Sequence, residues 1–142
     1  MKIWMTVCFA LGAICGPALA ADSITITDGH APAMVTGAKV GGGYLTISNA
    51  GDEEDRLVSV SSPRAARVEV HDMTVDNDVM KMRAVTGGVA IPSKGAVAFQ
   101  RGGLHLMFMQ PQTPFQAGET VPVVLNFEKA GAVSADLSVD AR

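Results

Sequence analysis

Short runs in which apolar and polar residues alternate recur along most of the chain. Nine such runs of three to seven residues stand out. They cover residues 24–27, 44–48, 57–60, 67–71, 79–85, 96–99, 104–109, 121–127 and 137–139. Successive side chains of a β-strand point to opposite faces, so this period of two predicts strands that each have one buried face.

Turn-forming residues separate these runs. Clusters of Gly, Asn, Asp, Pro and Ser occupy 49–52, 76–78, 87–88, 92–95, 101–103 and 116–118. No segment has a sustained helical period, and no repeat of the length typical of solenoids is visible. Many short strands with frequent turns predict an all-β fold, an antiparallel sandwich or barrel.

The N-terminus has the pattern of an export signal. Lys2 precedes an apolar stretch over 3–15, and Ala-Leu-Ala at 18–20 is a small-residue cleavage site. The apolar stretch is too short to span a membrane, which takes about 20 residues. We therefore expect a cleaved signal peptide, 1–20, a single domain, 21–142, and a periplasmic protein without a membrane span.

Cleavage would remove both cysteines, Cys8 and Cys15. Residues 12–14 before Cys15 are a poor lipidation motif, so secretion is favoured over a lipid anchor. A mature chain without cysteine has no blue-copper centre, c-type haem attachment or thiolate zinc site. Without Lys2, 10 basic residues face 14 acidic ones, a balance that argues against nucleic-acid binding.

Soft metal ligands are concentrated in the middle of the chain. Two of the three histidines and five of the eight methionines lie between 71 and 109. Ten, 22 and one residues separate the successive members of the set His71, Met82, His105 and Met107. Imidazole together with thioether sulfur favours monovalent copper, and this neutral set of four predicts one Cu(I) per chain.

Alternation assigns these side chains to faces of strands. His105, Met107 and Met109 share one face of their run, opposite Leu106 and Phe108, which we expect in the core. In the same way, His71 lies on the face of Arg67 and Glu69, and Met80 shares a face with Met82. The donors could then converge at one end of the fold. Three more methionines are candidate additional ligands or a hydrophobic rim: Met73, Met80 and Met109.

Other interpretations of these residues stay open. Each methionine or histidine alone could be core filler, because Met packs readily into gaps. The acidic run Asp72, Asp76 and Asp78 lacks the spacing of a calcium loop and favours a hairpin turn. His30, four residues before Met34, is either a weak extra ligand or a histidine of a surface loop.

Six segments together resemble a known family: 43–49, 61–63, 68–71, 80–83, 102–107 and 127–131. Through them the stretch 44–131 is similar to the periplasmic copper A-site chaperone (PCuAC) family. The resemblance implies a cupredoxin-like Greek-key β-sandwich or barrel that binds Cu(I) through His71, Met82, His105 and Met107. It also implies copper supply to the binuclear copper centre of cytochrome c oxidase, alongside thiol-bearing assembly factors.

The chain departs from that family in two places. Gly-His-Ala-Pro at 29–32 stands where a Trp-x-Arg element is frequent, and Gln110-Pro111 replaces the more usual Gly-Leu. A His- and Met-rich C-terminal tail, present in some relatives, is missing from this sequence, so we expect no second copper site.

The sequence therefore predicts a monomeric Cu(I) chaperone rather than an enzyme. Its histidines and acidic residues form no recognisable catalytic arrangement. The expected partners are a thiol-bearing copper acceptor or assembly factor and the copper subunit of cytochrome c oxidase. A copper storage or resistance protein and a metal-free periplasmic adhesion or assembly module are the alternatives, and the acceptor stays open.

Overall fold

The computed structural model describes residues 23–141, which form ten β-strands in one hydrogen-bonded sheet. They are β1 (Ile24–Pro32), β2 (Val40–Asn49), β3 (Asp55–Ser61), β4 (Ala65–Asp76), β5 (Val79–Ala84), β6 (Val89–Ile91), β7 (Gly95–Phe99), β8 (His105–Pro111), β9 (Thr120–Phe127) and β10 (Gly131–Asp140). The all-β, single-domain prediction is confirmed. The predicted signal peptide, 1–20, lies outside the described residues. No helix long and apolar enough to cross a membrane occurs within 23–141.

Seven of the strands close into a barrel. Their order is β4-β8-β2-β1-β10-β9-β3, and pairing of Val60 with Val68 joins β3 back to β4. The other three strands extend this ring, β5 beside β4, β6 beside β3 and β7 beside β2. Closure leaves the barrel with an inner face for the core and an outer face on which side chains can meet.

One seam of the barrel is parallel. His30 to Pro32 of β1 pair in parallel with Ser138 to Asp140 of β10, whereas every other strand pair is antiparallel. The expectation of an antiparallel sheet is therefore wrong at this seam. The alternation of apolar and polar residues predicts which face of a strand is buried. It does not predict whether the neighbouring strand runs parallel or antiparallel. Strands from opposite ends of the described chain have no short turn between them to fix that direction.

Two further differences from the predicted strands have local causes. Strand β6 lies outside the predicted runs, because its three residues fall between the turn clusters at 87–88 and 92–95. Strand β1 continues past residue 27 through a bulge, where Asp28 takes a positive φ of 55° and the register with β2 shifts. Asp28-Gly29 has the composition of a turn, but here it bends a strand that continues to Pro32.

The core fills the inside of the barrel. The alternation in β8 places Leu106 and Phe108 inward, and both are fully buried. The Phe108 ring packs edge-on against Phe115, with centroids 5.2 Å apart. A Cβ on Gly43 of β2 would lie 2.7 Å from the Phe108 ring, so only glycine lets the ring occupy this position. The packing of Leu106 and Phe108 therefore fixes which face of β8 points into the barrel. Because side chains alternate, His105 and Met107 lie on the opposite face.

Strands β4 and β5 form a hairpin that continues beyond the barrel. Strand β4 pairs with β8 only as far as His71 and from there with β5 as far as Asp76. The two-residue turn has Asn77 and Asp78 at φ of 52° and 63°, the left-handed values of a type I′ turn. Asp76 accepts a hydrogen bond from Lys81 at 2.7 Å. The hairpin interpretation of this acidic run is confirmed.

Candidate metal centre

Three neighbouring strands, β8, β4 and β5, bring the four predicted ligands to one outward face. His71 lies directly opposite His105 on β8, and their ring centroids are 5.9 Å apart. Met107 is opposite Glu69, and Met82 is opposite Met73, so each methionine is one cross-strand row from the histidine pair. One row is two residues, about 7 Å along a strand. The imidazoles are in contact, and each has a thioether in the adjacent row.

The three additional methionines differ in their distance from this pair. Met73 is two residues from His71 on the same face, in the same row as Met82. Met80 is opposite Val75, and Met109 is opposite Arg67, each two rows from the histidines, about 13 Å along the strand. By register, Met73 is placed like a ligand, and the other two lie at the ends of the face. Whether any of the three binds metal stays a prediction.

His105 is held by the backbone of the preceding turn. Its Nδ1 lies 2.8 Å from the carbonyl oxygen of Gly103, and the residue is 6% exposed. A carbonyl oxygen can only accept, so Nδ1 carries the proton and donates it. The lone pair of the neutral ring is then on Nε2. The local turn thus fixes which nitrogen of His105 is free to bind a ligand.

His71 is held by a side chain two residues earlier. Its Nε2 lies 2.8 Å from Oε2 of Glu69, and the other oxygen, Oε1, lies 2.6 Å from Nε of Arg67. These two contacts, that of His71 above all, hold the pKa of Glu69 below its usual value. Nδ1 of His71 is buried without a hydrogen-bond partner, and within residues 23–141 it is the only side-chain nitrogen or oxygen in this state. Such atoms are rare because leaving one unpaired costs free energy.

The hairpin has one apolar and one polar face. Met73, Val75, Met80 and Met82 lie on the face of His71, while Asp76 and Lys81 pair on the other. Val75 is 69% exposed, Met80 56% and Met82 49%. Most of the large hydrophobic side chains exposed in the described chain lie in this hairpin, Val75, Met80 and Met82 on the face of His71 and Val79 on the other face, opposite Asp76. Val35, Val40 and Val58 are exposed elsewhere. Exposed apolar side chains in such a cluster are typical of a contact surface.

His30 and Met34 are not brought together. His30 lies in β1, where its ring packs against Tyr44 at 5.3 Å and its Nδ1 donates to the carbonyl of Asp28 at 2.9 Å. Met34 packs against the hydrophobic core instead. The structure gives this pair no shared site, and His30 is a strand residue rather than a loop residue.

Glu69 is a residue of this face to which the sequence analysis assigned no role, although it contacts both His71 and Arg67. Alternation predicted that Glu69 shares the ligand face of the strand with Arg67 and His71. A cation, a carboxylate and an imidazole at alternate positions could have indicated that the three side chains interact. In the part of the chain that the structure describes, no three His, Cys, Asp or Glu side chains form a metal-binding group.

A seven-stranded mixed barrel with His and Met side chains on one outer face defines the class of this protein. Residues 24–139 match the family model described as "Putative lipoprotein LpqE-like". The chain belongs to this LpqE-like (PCuAC) family, as its sequence resemblance implied.

A curated relative gives little functional detail. The chain is 25% identical over 111 residues to "Putative lipoprotein Lxx21020" of Leifsonia xyli subsp. xyli. The match covers 78% of this chain and 66% of that protein, so the chain spans slightly less than two thirds of its relative.

Solved PCuAC structures have the same fold. The copper-bound PCuAC domain from PmoF2 superposes with a TM-score of 0.70 at 25% identity, over 84% of this chain and 94% of that domain. The solution structure of CuI-DR1885 from Deinococcus radiodurans gives 0.60 at 25% identity, over 92% and 83% of the two chains. The cupredoxin-like barrel is confirmed, and two proteins similar to this chain are copper-bound.

Proposed function

We propose that this protein binds one Cu(I) through His71, Met82, His105 and Met107 and passes it to a thiol-bearing acceptor. The observation that supports this most directly is the contact between the two imidazoles on a face whose adjacent rows carry thioethers. Two imidazoles and two thioethers form a soft, neutral set that suits a monovalent ion.

The residues of this face fit a metal. The buried, unpartnered Nδ1 of His71 is costly in a protein without a ligand, and coordination would satisfy it. His105 has its second nitrogen already bonded to backbone, an arrangement that metal-bound histidines commonly have. Copper bound to the PmoF2 domain and to DR1885 supports the same choice of metal here.

Transfer requires that an acceptor reach the metal. Met82 lies on a two-stranded extension and is half exposed, so an incoming thiolate could replace this weak ligand first. We place the protein in the periplasm as a non-enzymatic carrier whose acceptor serves the binuclear copper centre of cytochrome c oxidase. Export is in keeping with the lipoprotein description of the family, and lipidation at Cys15 would be an alternative to release.

Copper storage or resistance is the second candidate. The exposed apolar face of the hairpin favours delivery, because a protein that only sequesters copper gains nothing from presenting a ligand to solvent. A metal-free adhesion or assembly module is the third, and only metal binding separates it from the other two.

An anaerobic titration of chain 21–142 with Cu(I), against a chromophoric competitor, tests the metal site. We expect one tightly bound Cu(I), weaker Cu(II), and displacement of Zn²⁺ by Cu(I). Zinc retained as strongly as Cu(I) would refute the soft-ligand assignment.

The loaded protein is then mixed with a dithiol peptide, and the copper content of each is measured after separation. Transfer on mixing supports delivery. Full retention against an acceptor of higher affinity supports storage.

A further inference from the structure

We infer that Glu69, held by Arg67, is a positioning residue that makes His71 present Nδ1 to the metal while His105 presents Nε2. This inference rests on the proposed copper site and adds which atoms bind and what selects them. The two histidines face each other across β4 and β8, yet they are held through different nitrogens.

The Glu69 contact decides the tautomer of His71. An ionised carboxylate only accepts hydrogen bonds, so the 2.8 Å contact with Oε2 places the proton of the ring on Nε2. A neutral imidazole has one N–H, and the lone pair therefore lies on Nδ1. That atom is the buried nitrogen without a partner. A proton on that nitrogen would have no acceptor among residues 23–141, so the surroundings of both nitrogens favour the same tautomer.

Arg67 fixes the carboxylate in turn. The three residues occupy alternate positions of β4, so their side chains lie in line on one face. Arg67 Nε holds Oε1 at 2.6 Å while Oε2 takes the His71 proton, so both oxygens of Glu69 are engaged. Arg67 is 65% exposed at its side chain and Glu69 only 29%, which makes the carboxylate the more constrained member.

The opposite tautomer would close the site to metal. A proton on Nδ1 of His71 would leave the lone pair of the ring on Nε2, the nitrogen that already lies 2.8 Å from the Glu69 carboxylate. A positioning partner of this kind typically contributes 10–100-fold to metal affinity. Without Glu69, both tautomers of His71 become accessible, and only one of them can bind.

The tautomers of His71 and His105 can be measured by NMR. Chain 21–142 is labelled with ¹⁵N-histidine, and long-range ¹H–¹⁵N correlation spectra are recorded at pH 8 without metal. We expect His71 protonated on Nε2 and His105 on Nδ1. Anaerobic Cu(I) should then shift Nδ1 of His71 and Nε2 of His105. A parent protein with His71 protonated on Nδ1 would overturn the inference.

Glu69→Leu removes the acceptor at similar size. We expect a mixture of His71 tautomers, an unchanged His105 tautomer and a Cu(I) affinity about 10–100-fold lower. Asp72→Asn, on the opposite face of the same strand, is the matched control and should change neither. Backbone amide spectra check that both variants fold. Parental tautomer and affinity in folded Glu69→Leu would refute the positioning role.

The two readouts separate this inference from the proposed function. The tautomers are measured without copper, so they test Glu69 even in a protein that fails to bind Cu(I). Such a failure, with His71 in the expected tautomer, would refute the copper site and leave the role of Glu69 in setting the tautomer.

Discussion

The barrel interior and the β4–β5 hairpin are both rich in apolar side chains, but these side chains are buried in the barrel and exposed on the hairpin. Inside the barrel, Leu106, Phe108 and Phe115 are fully buried. On the hairpin, Val75 is 69% exposed and Met82 49%. The barrel strands pack their inner faces against one another, whereas no element within residues 23–141 covers Val75, Met80 and Met82 on the apolar face of the hairpin.

This difference teaches how one alternating pattern can serve two purposes. Full burial of a large apolar side chain contributes about 1.5–3 kcal/mol, so the barrel interior determines the free energy of unfolding. The hairpin and the adjoining histidines contribute less to it, and their side chains are available for ligands. Substitutions should therefore separate into those that change stability and those that change copper binding.

The largest effect should come from Phe108→Ala in the barrel interior. It removes a fully buried ring that packs on Phe115, and the cavity should lower the free energy of unfolding by about 3–5 kcal/mol. Denaturant unfolding measures this loss. The Cu(I) affinity of the folded fraction should stay near that of the parent, and a large loss of affinity would show that the two regions are coupled.

His105→Ala should have the next largest effect, on metal affinity. It removes the imidazole whose Nε2 is free and breaks its contact with His71. We expect at least a 100-fold weaker Cu(I) affinity, about 2.7 kcal/mol, in a competition titration. His30→Ala is the comparison variant, because the ring contact of His30 is with Tyr44 and not with either histidine of the pair, and it should bind copper like the parent.

Met82→Ile sharpens the comparison within the hairpin. This near-isosteric change should alter stability by less than about 1.5 kcal/mol, because the side chain is half exposed. Loss of the sulfur should weaken Cu(I) binding about 10–100-fold. Met80→Ile, one row further along the same face, should have little effect. If Met82→Ile melts much lower but binds copper normally, Met82 is a structural residue.

The smallest effect should come from Glu119→Gln, outside both regions. A hydrogen bond from the backbone N–H of Gln116, together with Arg64, holds the pKa of Glu119 below its usual value. The parent therefore gains stability above the unfolded pKa and loses it as the pH falls toward the folded value. Melting curves should place the variant slightly below the parent at pH 7, with the difference vanishing in acid. A difference that grew in acid would contradict this.

The sequence was most informative about which side chains share a face of a strand. In β8 it predicted Leu106 and Phe108 inside, and both are fully buried. His105 and Met107 lie on the opposite face as predicted, but His105 is only 6% exposed, which alternation alone did not indicate. It could not show that His71 lies directly opposite His105, because register between strands distant in sequence depends on hydrogen bonds made only in the folded barrel. For the same reason, the sequence could not predict how many rows separate each methionine from the two histidines.

The sequence also could not predict the relative direction of paired strands or the contacts between individual side chains. The parallel pairing of β1 with β10 joins strands from opposite ends of the described chain, and no local pattern encodes it. The role of Glu69 depends on two distances, to His71 and to Arg67, that a face assignment does not supply.

The parallel seam has a practical consequence for labelling. Because Pro32 pairs with Asp140, the start of β1 and the end of β10 are separated by nearly the whole length of β1, about 25 Å. A donor dye attached before Ile24 and an acceptor after Asp140 would therefore lie near opposite ends of β1. Energy transfer between them would report barrel opening in single molecules without a probe on the histidine face.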